Sequence, residues 1–187
     1  MSAPIAGVLS NLERVLLNSD LIQRRVAEMA LQIEKDYAGG DISVVALMDG
    51  AIFFVADLLR RISLPVQVHT LSVGSYHGGT SSTGRIEMLP KLPFVLNGRR
   101  VLLIDDILDT GLTLGTVRDR ILEECQPESL RVAVLLDKNR PRIREVPVDY
   151  VGFEIADEFV VGYGMDYKGH YRNLPCIGIL NPTHIES

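Results

Sequence analysis

Between residues 20 and 37, apolar side chains recur at Ile22, Val26, Met29, Ala30 and Ile33. That spacing returns to one face of an α-helix, so an amphipathic surface helix is expected, ended by Gly39-Gly40. Ile42–Met48 is a β-branched run of strand length, and residues 52–61 read as a helix with Arg60 and Arg61 in its last turn, beside the negative end of the dipole. Residues 66–73 alternate as a strand does, and residues 101–104 are apolar throughout. Residues 113–124 have a helical pattern with Pro127 just beyond it, and the run RVAVLL gives a last strand ending at Leu136. Strands apolar on both faces, alternating with helices, predict an α/β fold. Its central sheet is mostly parallel and flanked by helices, with ligands at the carboxyl ends of the strands.

Two stretches break this rhythm. Residues 72–85 contain four glycines among several Ser and Thr residues, the composition of a mobile active-site loop. The tail from Tyr150 onward has only short apolar runs and is expected to cap the strand ends. With 187 residues, 47% of them apolar, and a mean hydropathy of +0.17, the chain reads as one domain with a sizeable core. The core is placed at about residues 20–150, a hood at about 1–19 and 151–187, and the mobile loop at about 72–87.

A net charge of −5 and a pI near 5.4 argue against a general grip on nucleic acid, while leaving room for a local basic pocket. Cys125 and Cys176 form no CxxC pair, so neither a disulfide framework nor a zinc site is indicated, and a reducing cytoplasm is the expected location. The first residues lack the pattern of a secretion signal, and the apolar run at 51–59 is short and interrupted by Asp57, so no membrane span is expected.

The densest chemistry is in VLLIDDILDTGLT, residues 101–113. A buried strand leads into the adjacent carboxylates Asp105 and Asp106, and then into a turn, Asp109-Thr110-Gly111-Leu112-Thr113, that opens the next helix. A helix amino terminus offers unpaired N–H groups and the positive end of a dipole, Gly111 permits close approach of the backbone, and the Thr hydroxyls add donors. These features make a cradle for one terminal phosphate. Two carboxylates beside it would repel an anion unless they bind ribose hydroxyls or hold a hard cation such as Mg²⁺. Both uses point to a phosphorylated sugar. The plainer alternative is that Asp105 and Asp106 merely end a strand and Asp109 caps a helix.

This motif resembles the phosphoribosyl pyrophosphate (PRPP) signature of type I phosphoribosyltransferases. The segments LMDGAIFFVADLL, GSYHGGTSSTG, LLDKNRP and VGFEIADEFVVGYGMDYKGHYRNLP resemble, in the same order, parts of the hypoxanthine-guanine branch of that family, over roughly residues 42–180. The resemblance implies the type I fold with a small hood and a mobile loop, Mg²⁺ as cofactor, and a homodimer or homotetramer. It also implies transfer of the phosphoribosyl group of PRPP to N9 of hypoxanthine or guanine, giving IMP or GMP and pyrophosphate.

The resemblance further assigns roles to residues. Asp105 and Asp106 fall by the ribose hydroxyls and metal, Asp109, Thr110, Gly111, Leu112 and Thr113 surround the 5′-phosphate, and Asp109 is the general base. Lys138 meets the purine 6-oxo group, which suits an ammonium that donates and cannot accept. Phe159 stacks on the base, the Val160 backbone meets its edge, and Asp166 faces position 2 and reaches the metal. Arg172, with Asp49 and Gly50, belongs to the pyrophosphate site, and Ser75 and Tyr76 stand at the root of the mobile loop.

Two positions depart from the family pattern. Asp49 stands where a Lys or Arg commonly precedes the glycine, so contact with pyrophosphate there falls to backbone N–H groups, with a strained or cis Met48–Asp49 peptide among the expectations. Leu112 stands where polar or basic residues are frequent, at little expected loss because backbone amides form the cradle. A rival reading on the same fold is a nucleotide-sensing regulator that binds RNA, against which the acidic charge counts. A plainer one is a binding module for Mg²⁺ alone.

Overall fold

The computed structural model describes residues 7–73 and 92–185. Its centre is a five-stranded parallel sheet made of β2 (Ile42–Met48), β3 (Val66–Ser72), β4 (Arg100–Leu108), β5 (Ser129–Asn139) and β6 (Tyr150–Ala156), in the order β3-β2-β4-β5-β6. Side chains alternate across each strand, and both faces are covered. Val44, Ala46, Leu102, Ile104, Ala133 and Leu135 pack under α1 (Ser19–Asp36) and α2 (Ile52–Leu59). Val45, Leu47, Val101, Leu103, Val132 and Val134 pack under α3 (Leu112–Cys125). Burying each such Val, Leu or Ile stabilises the fold by about 1.5–3 kcal/mol, which is why the centres of β2, β4 and β5 carry apolar residues on both faces and not on every second position.

Helix α1 buries Ile22, Val26, Met29, Ala30 and Ile33, the stripe expected from the sequence, and Asn18 caps it by accepting the Leu21 N–H at 2.9 Å. Arg25 on its outer side donates to the carbonyls of Val151 and Gly152 at 2.7 and 2.9 Å, which satisfies part of the exposed edge of β6. A second, antiparallel sheet, β1 (Leu12–Leu17), β8 (Ile177–Leu180) and β7 (Val160–Val161) in the order β1-β8-β7, forms the hood. A single 3₁₀ turn, Pro182–His184, follows β8. No helix among the described residues is long and apolar enough to cross a membrane.

Several boundaries differ from the sequence expectation. Helix α2 ends at Leu59; Arg60 caps it, and Arg61 turns back to donate to the Asp57 carbonyl at 2.7 Å, so neither basic residue lies in the last turn. Tyr150–Ala156, expected in the hood, is the fifth strand of the central sheet, because β5 offers it a parallel partner from Ala133 to Asn139. The division between core and hood therefore falls after Ala156. Pairing also carries β4 through Asp105 and Asp106 to Leu108, and β5 past Leu136 to Asn139, so Lys138 lies inside its strand and not beyond it.

Candidate active site

The chain runs from β2 through α2 to β3 on one side, then returns to place β4 on the other flank of β2. That reversal makes the carboxyl ends of β2 and β4 the topological switch point, the usual ligand position in an open α/β sheet. Asp49 and Gly50 leave β2 there, after a cis Met48–Asp49 peptide. Asp106, at the far end of β4, lies so close to Gly50 that a Cβ on Gly50 would sit 2.2 Å from its Oδ2. Gly164, reaching down from the hood, abuts the same turn, since its own Cβ would lie 1.9 Å from the Gly50 carbonyl oxygen. Three segments thus meet at Gly50. The Asp49 side chain is exposed.

Asp105 is buried, and its Oδ1 accepts the Asp106 N–H at 2.9 Å. Burial, reinforced by the neighbouring Asp106 charge, pushes its carboxyl well above the usual range. Burial raises Asp106 as well, with the Arg172 cation among the groups that oppose the rise. One buried and one half-buried carboxyl, neither in an ion pair among the described residues, form an oxygen-only donor set that suits a hard divalent cation, which commonly takes one or two protein carboxylates and completes its shell with ligand oxygens and water. Asp166, expected as a third ligand, is not gathered with them. Its carboxylate pairs with Arg172 at 2.8 Å and accepts the Gly169 N–H at 2.7 Å. Among the described residues, no three acidic, His or Cys side chains converge at metal-ligand spacing. Arg172 also donates to the Gly164 carbonyl at 2.6 Å and so braces the hood turn over Gly50.

Gly111 begins α3 with φ of +80°, in the left-handed region. The Thr110 carbonyl accepts the N–H groups of Ile143 and Arg144 at 3.0 and 3.1 Å, and the Thr110 hydroxyl lies 3.4 Å from the Leu112 N–H. Leu112 and Thr113, both half-buried, form the first turn of the helix. The expected cradle therefore leans on the connection from β5 to β6. Along that connection Lys138, Arg140, Arg142 and Arg144 stand at alternate positions. Arg142 donates to the carbonyls of Leu108, at 2.9 Å, and Asp109 and pairs with Asp137; Arg144 pairs with Asp119 of α3. The run is a clamp on the turn after β4 and not a solvated basic face. Replacing Arg142 with Met strips two backbone carbonyls of their donor and is expected to lower the unfolding free energy by about 1–3 kcal/mol, read by denaturant melts. An unchanged midpoint and slope would show that water substitutes for the guanidinium.

Asp109 and Lys138 face one another. The Lys138 ammonium, on a residue only 8% exposed, lies 3.4 Å from Asp109 Oδ2 and 3.7 Å from Asp157 Oδ1. The Arg140 guanidinium lies 2.8 Å from Asp109 Oδ1 and 3.4 Å from the same Asp157 oxygen. Two carboxylates and two cations close a neutral ring at the ends of β5 and β6. Two residues past Asp157, Phe159 is 48% exposed and meets Tyr167 edge to face, with centroids 5.9 Å apart. Val160 is buried in β7 opposite Ile179.

The structure thus brings Asp49, Gly50, Asp105, Asp106, residues 109–113, Lys138, Phe159 and Arg172 to one end of the sheet. Ser75 and Tyr76 lie outside the described residues, as does most of the expected mobile loop. The sequence reading passed over Arg140, Arg142, Asp157 and Gly164. For the arginines a signal was present, their period-two spacing after Lys138, which aims alternate side chains to one side of an extended chain.

Known proteins match this arrangement. The family model described as a phosphoribosyl transferase domain matches residues 15–168. The hypoxanthine-guanine phosphoribosyltransferase of Streptococcus pneumoniae is 42% identical over 171 residues, 91% of this chain and 94% of that protein. Its Staphylococcus aureus counterpart is 41% identical over 92% of this chain and 96% of its own length. A crystal structure of a hypoxanthine phosphoribosyltransferase from Staphylococcus aureus superposes with a TM-score of 0.88 at 39% identity, covering 97% of this chain and 98% of that one.

Proposed function

The chain belongs to the phosphoribosyl transferase family, and from that premise we propose that it is a purine-salvage enzyme. It transfers the 5-phosphoribosyl group of PRPP to N9 of hypoxanthine, and also of guanine, giving IMP or GMP and pyrophosphate. The observation that carries the base assignment is the pairing of Lys138 Nζ with Asp109 Oδ2, 3.4 Å apart. A 6-oxopurine presents O6 and N7 side by side on one edge. An ammonium and a carboxylate oxygen at this spacing match that edge when N7 carries the proton, the first donating to O6 and the second accepting from N7. A 6-amino group would instead turn its hydrogens toward a cation that has no acceptor.

In the reaction, the bond from N9 to C1 of the ribose forms as the bond from C1 to the pyrophosphate oxygen breaks, and the N7 proton passes to Asp109. Positive charge that develops on the ribose is met by the carboxylates of Asp105 and Asp106. These two would hold Mg²⁺ together with ligand oxygens; bound there, the ion would neutralise the pyrophosphate as it leaves. Residues 109–113 receive the 5′-phosphate, Phe159 stacks on the base, the Val160 and Asp166 backbones line its edge, and Arg172 with the backbone of Asp49 and Gly50 serves the pyrophosphate side. The RNA-binding alternative gains no support from the relatives named above.

The test is nucleotide formation by purified protein with Mg²⁺, PRPP and one base at a time. Product with hypoxanthine and guanine is expected; product only with adenine or uracil overturns the assignment. Lys138→Gln removes a charge-assisted donor to O6 and is expected to lower kcat/KM for hypoxanthine by about 10- to 150-fold, the equivalent of about 1.5–3 kcal/mol. An equal value for the two proteins would place the O6 contact elsewhere.

A further inference from the structure

We propose that Arg140 is a positioning residue that fixes the rotamer of Asp109 and leaves one defined oxygen for the substrate. The inference rests on the reading of Asp109 as general base. The two oxygens of that carboxylate are held unequally. Oδ1 is held by the Arg140 guanidinium at 2.8 Å, whereas among the described residues Oδ2 has only the longer 3.4 Å contact to Lys138. When an incoming base draws the ammonium to its 6-oxo group, Oδ2 loses its weak partner and Oδ1 keeps its strong one. The carboxylate is then a single acceptor aimed at the edge of the base and does not rotate between two equivalent oxygens.

Arg140 is itself held for this task. Lys138 is fixed in the parallel ladder opposite Ile155, and the Arg140 N–H reaches the Lys138 carbonyl at 3.0 Å. That bond closes a tight turn across Asn139, and Pro141 keeps Arg140 out of helical backbone, so the chain bends at Arg140 and does not run on from β5. A second anchor comes from Asp157, just past the end of β6, 3.4 Å from the guanidinium. The Arg140 Nε is buried without a hydrogen-bond partner among the described residues, so the group forgoes one bond in order to place its NH1 on Asp109. A guanidinium that served only as a surface ion pair would turn to solvate that N–H.

The experiment compares Arg140→Ala and Arg140→Lys with the unaltered protein, alone and combined with Asp109→Asn, under saturating Mg²⁺. Arg140→Ala is expected to lower kcat by roughly 10- to 100-fold, the scale of a misplaced reacting group, with KM for PRPP unchanged. Arg140→Lys, which keeps a donor for Oδ1, should recover most of the rate. Added to Asp109→Asn, Arg140→Ala should cost nothing more, because the group it orients is already gone. An unchanged kcat in Arg140→Ala, or a loss that multiplies with that of Asp109→Asn, overturns the proposal. If Asp109→Asn alone keeps full activity, the general-base reading has failed and this proposal with it. If that variant is slow while the Arg140 variants are fast, only the positioning role is lost.

Discussion

Asp109→Asn is expected to lower kcat by roughly 10²- to 10⁴-fold, the range for removal of a general base, while binding of PRPP and of the product nucleotide is largely kept. The amide has nearly the same shape as the carboxylate and can still accept from Arg140 through its oxygen, but it takes up no proton at neutral pH. The proposed phosphate cradle beside it consists of backbone N–H groups and the Thr110 and Thr113 hydroxyls, which the change leaves in place. Steady-state kinetics with hypoxanthine, together with equilibrium binding of PRPP, separate the two effects. A rate within threefold of the original would remove the proton-acceptor role, and a matching loss of PRPP affinity would turn Asp109 into a binding residue. The substitution also removes one charge from the ring with Lys138, Arg140 and Asp157, leaving it with a net positive charge. A nucleotide phosphate would therefore bind at least as well as before.

Gly111→Ala should damage both stability and turnover. At φ of +80° any side chain costs about 1 kcal/mol relative to glycine. The larger cost comes from space, because the new Cβ would lie 1.9 Å from the Arg144 carbonyl oxygen, which belongs to backbone and cannot swing aside. Either the Asp109–Thr113 turn or the clamp from β5 must shift, and the clamp is tied down by Arg142 on Leu108 and Arg144 on Asp119. Unfolding free energy should fall by about 2–4 kcal/mol, combining the conformational cost with that of overpacking. Because the phosphate cradle moves with the turn, kcat/KM for PRPP should drop by about 100-fold. Gly98→Ala is the control. Gly98 also has a positive φ, of +66°, but has open space around it, so it should lose only the conformational part, about 1 kcal/mol, at unchanged activity. If the two variants behave alike, the close approach at Gly111 has no consequence.

Much of the fold was legible in the chain because local physics wrote it there. The stripe from Ile22 to Ile33 is the buried face of α1 residue for residue, and the largely apolar runs at Ile42–Met48 and in RVAVLL are strands covered on both faces. The carboxylates and the glycine turn of VLLIDDILDTGLT could also be placed from sequence, since a strand, a left-handed residue and a helix amino terminus are consecutive there. Errors arose where the deciding partner lies far away in the chain. Tyr150–Ala156 has too short an apolar run to declare itself a core strand until β5 pairs with it, and the same ladder draws Lys138 inside β5. The partner of Asp166 was equally out of reach of a local reading, since its pairing with Arg172 depends on how the hood turn folds.

The sequence by itself thus determined the α/β class, the buried faces, and the glycine turn with its neighbouring acids, because hydrophobic period, turn chemistry and helix capping act over a few residues. Only the tertiary structure decided that the strand order reverses between β2 and β4, that Gly50, Asp106 and Gly164 close on one another, and that Arg140 and Arg142 leave the basic run to hold the turn after β4. Those facts depend on contacts between segments 30 to more than 100 residues apart, set by sheet order and backbone approach, which no local pattern encodes.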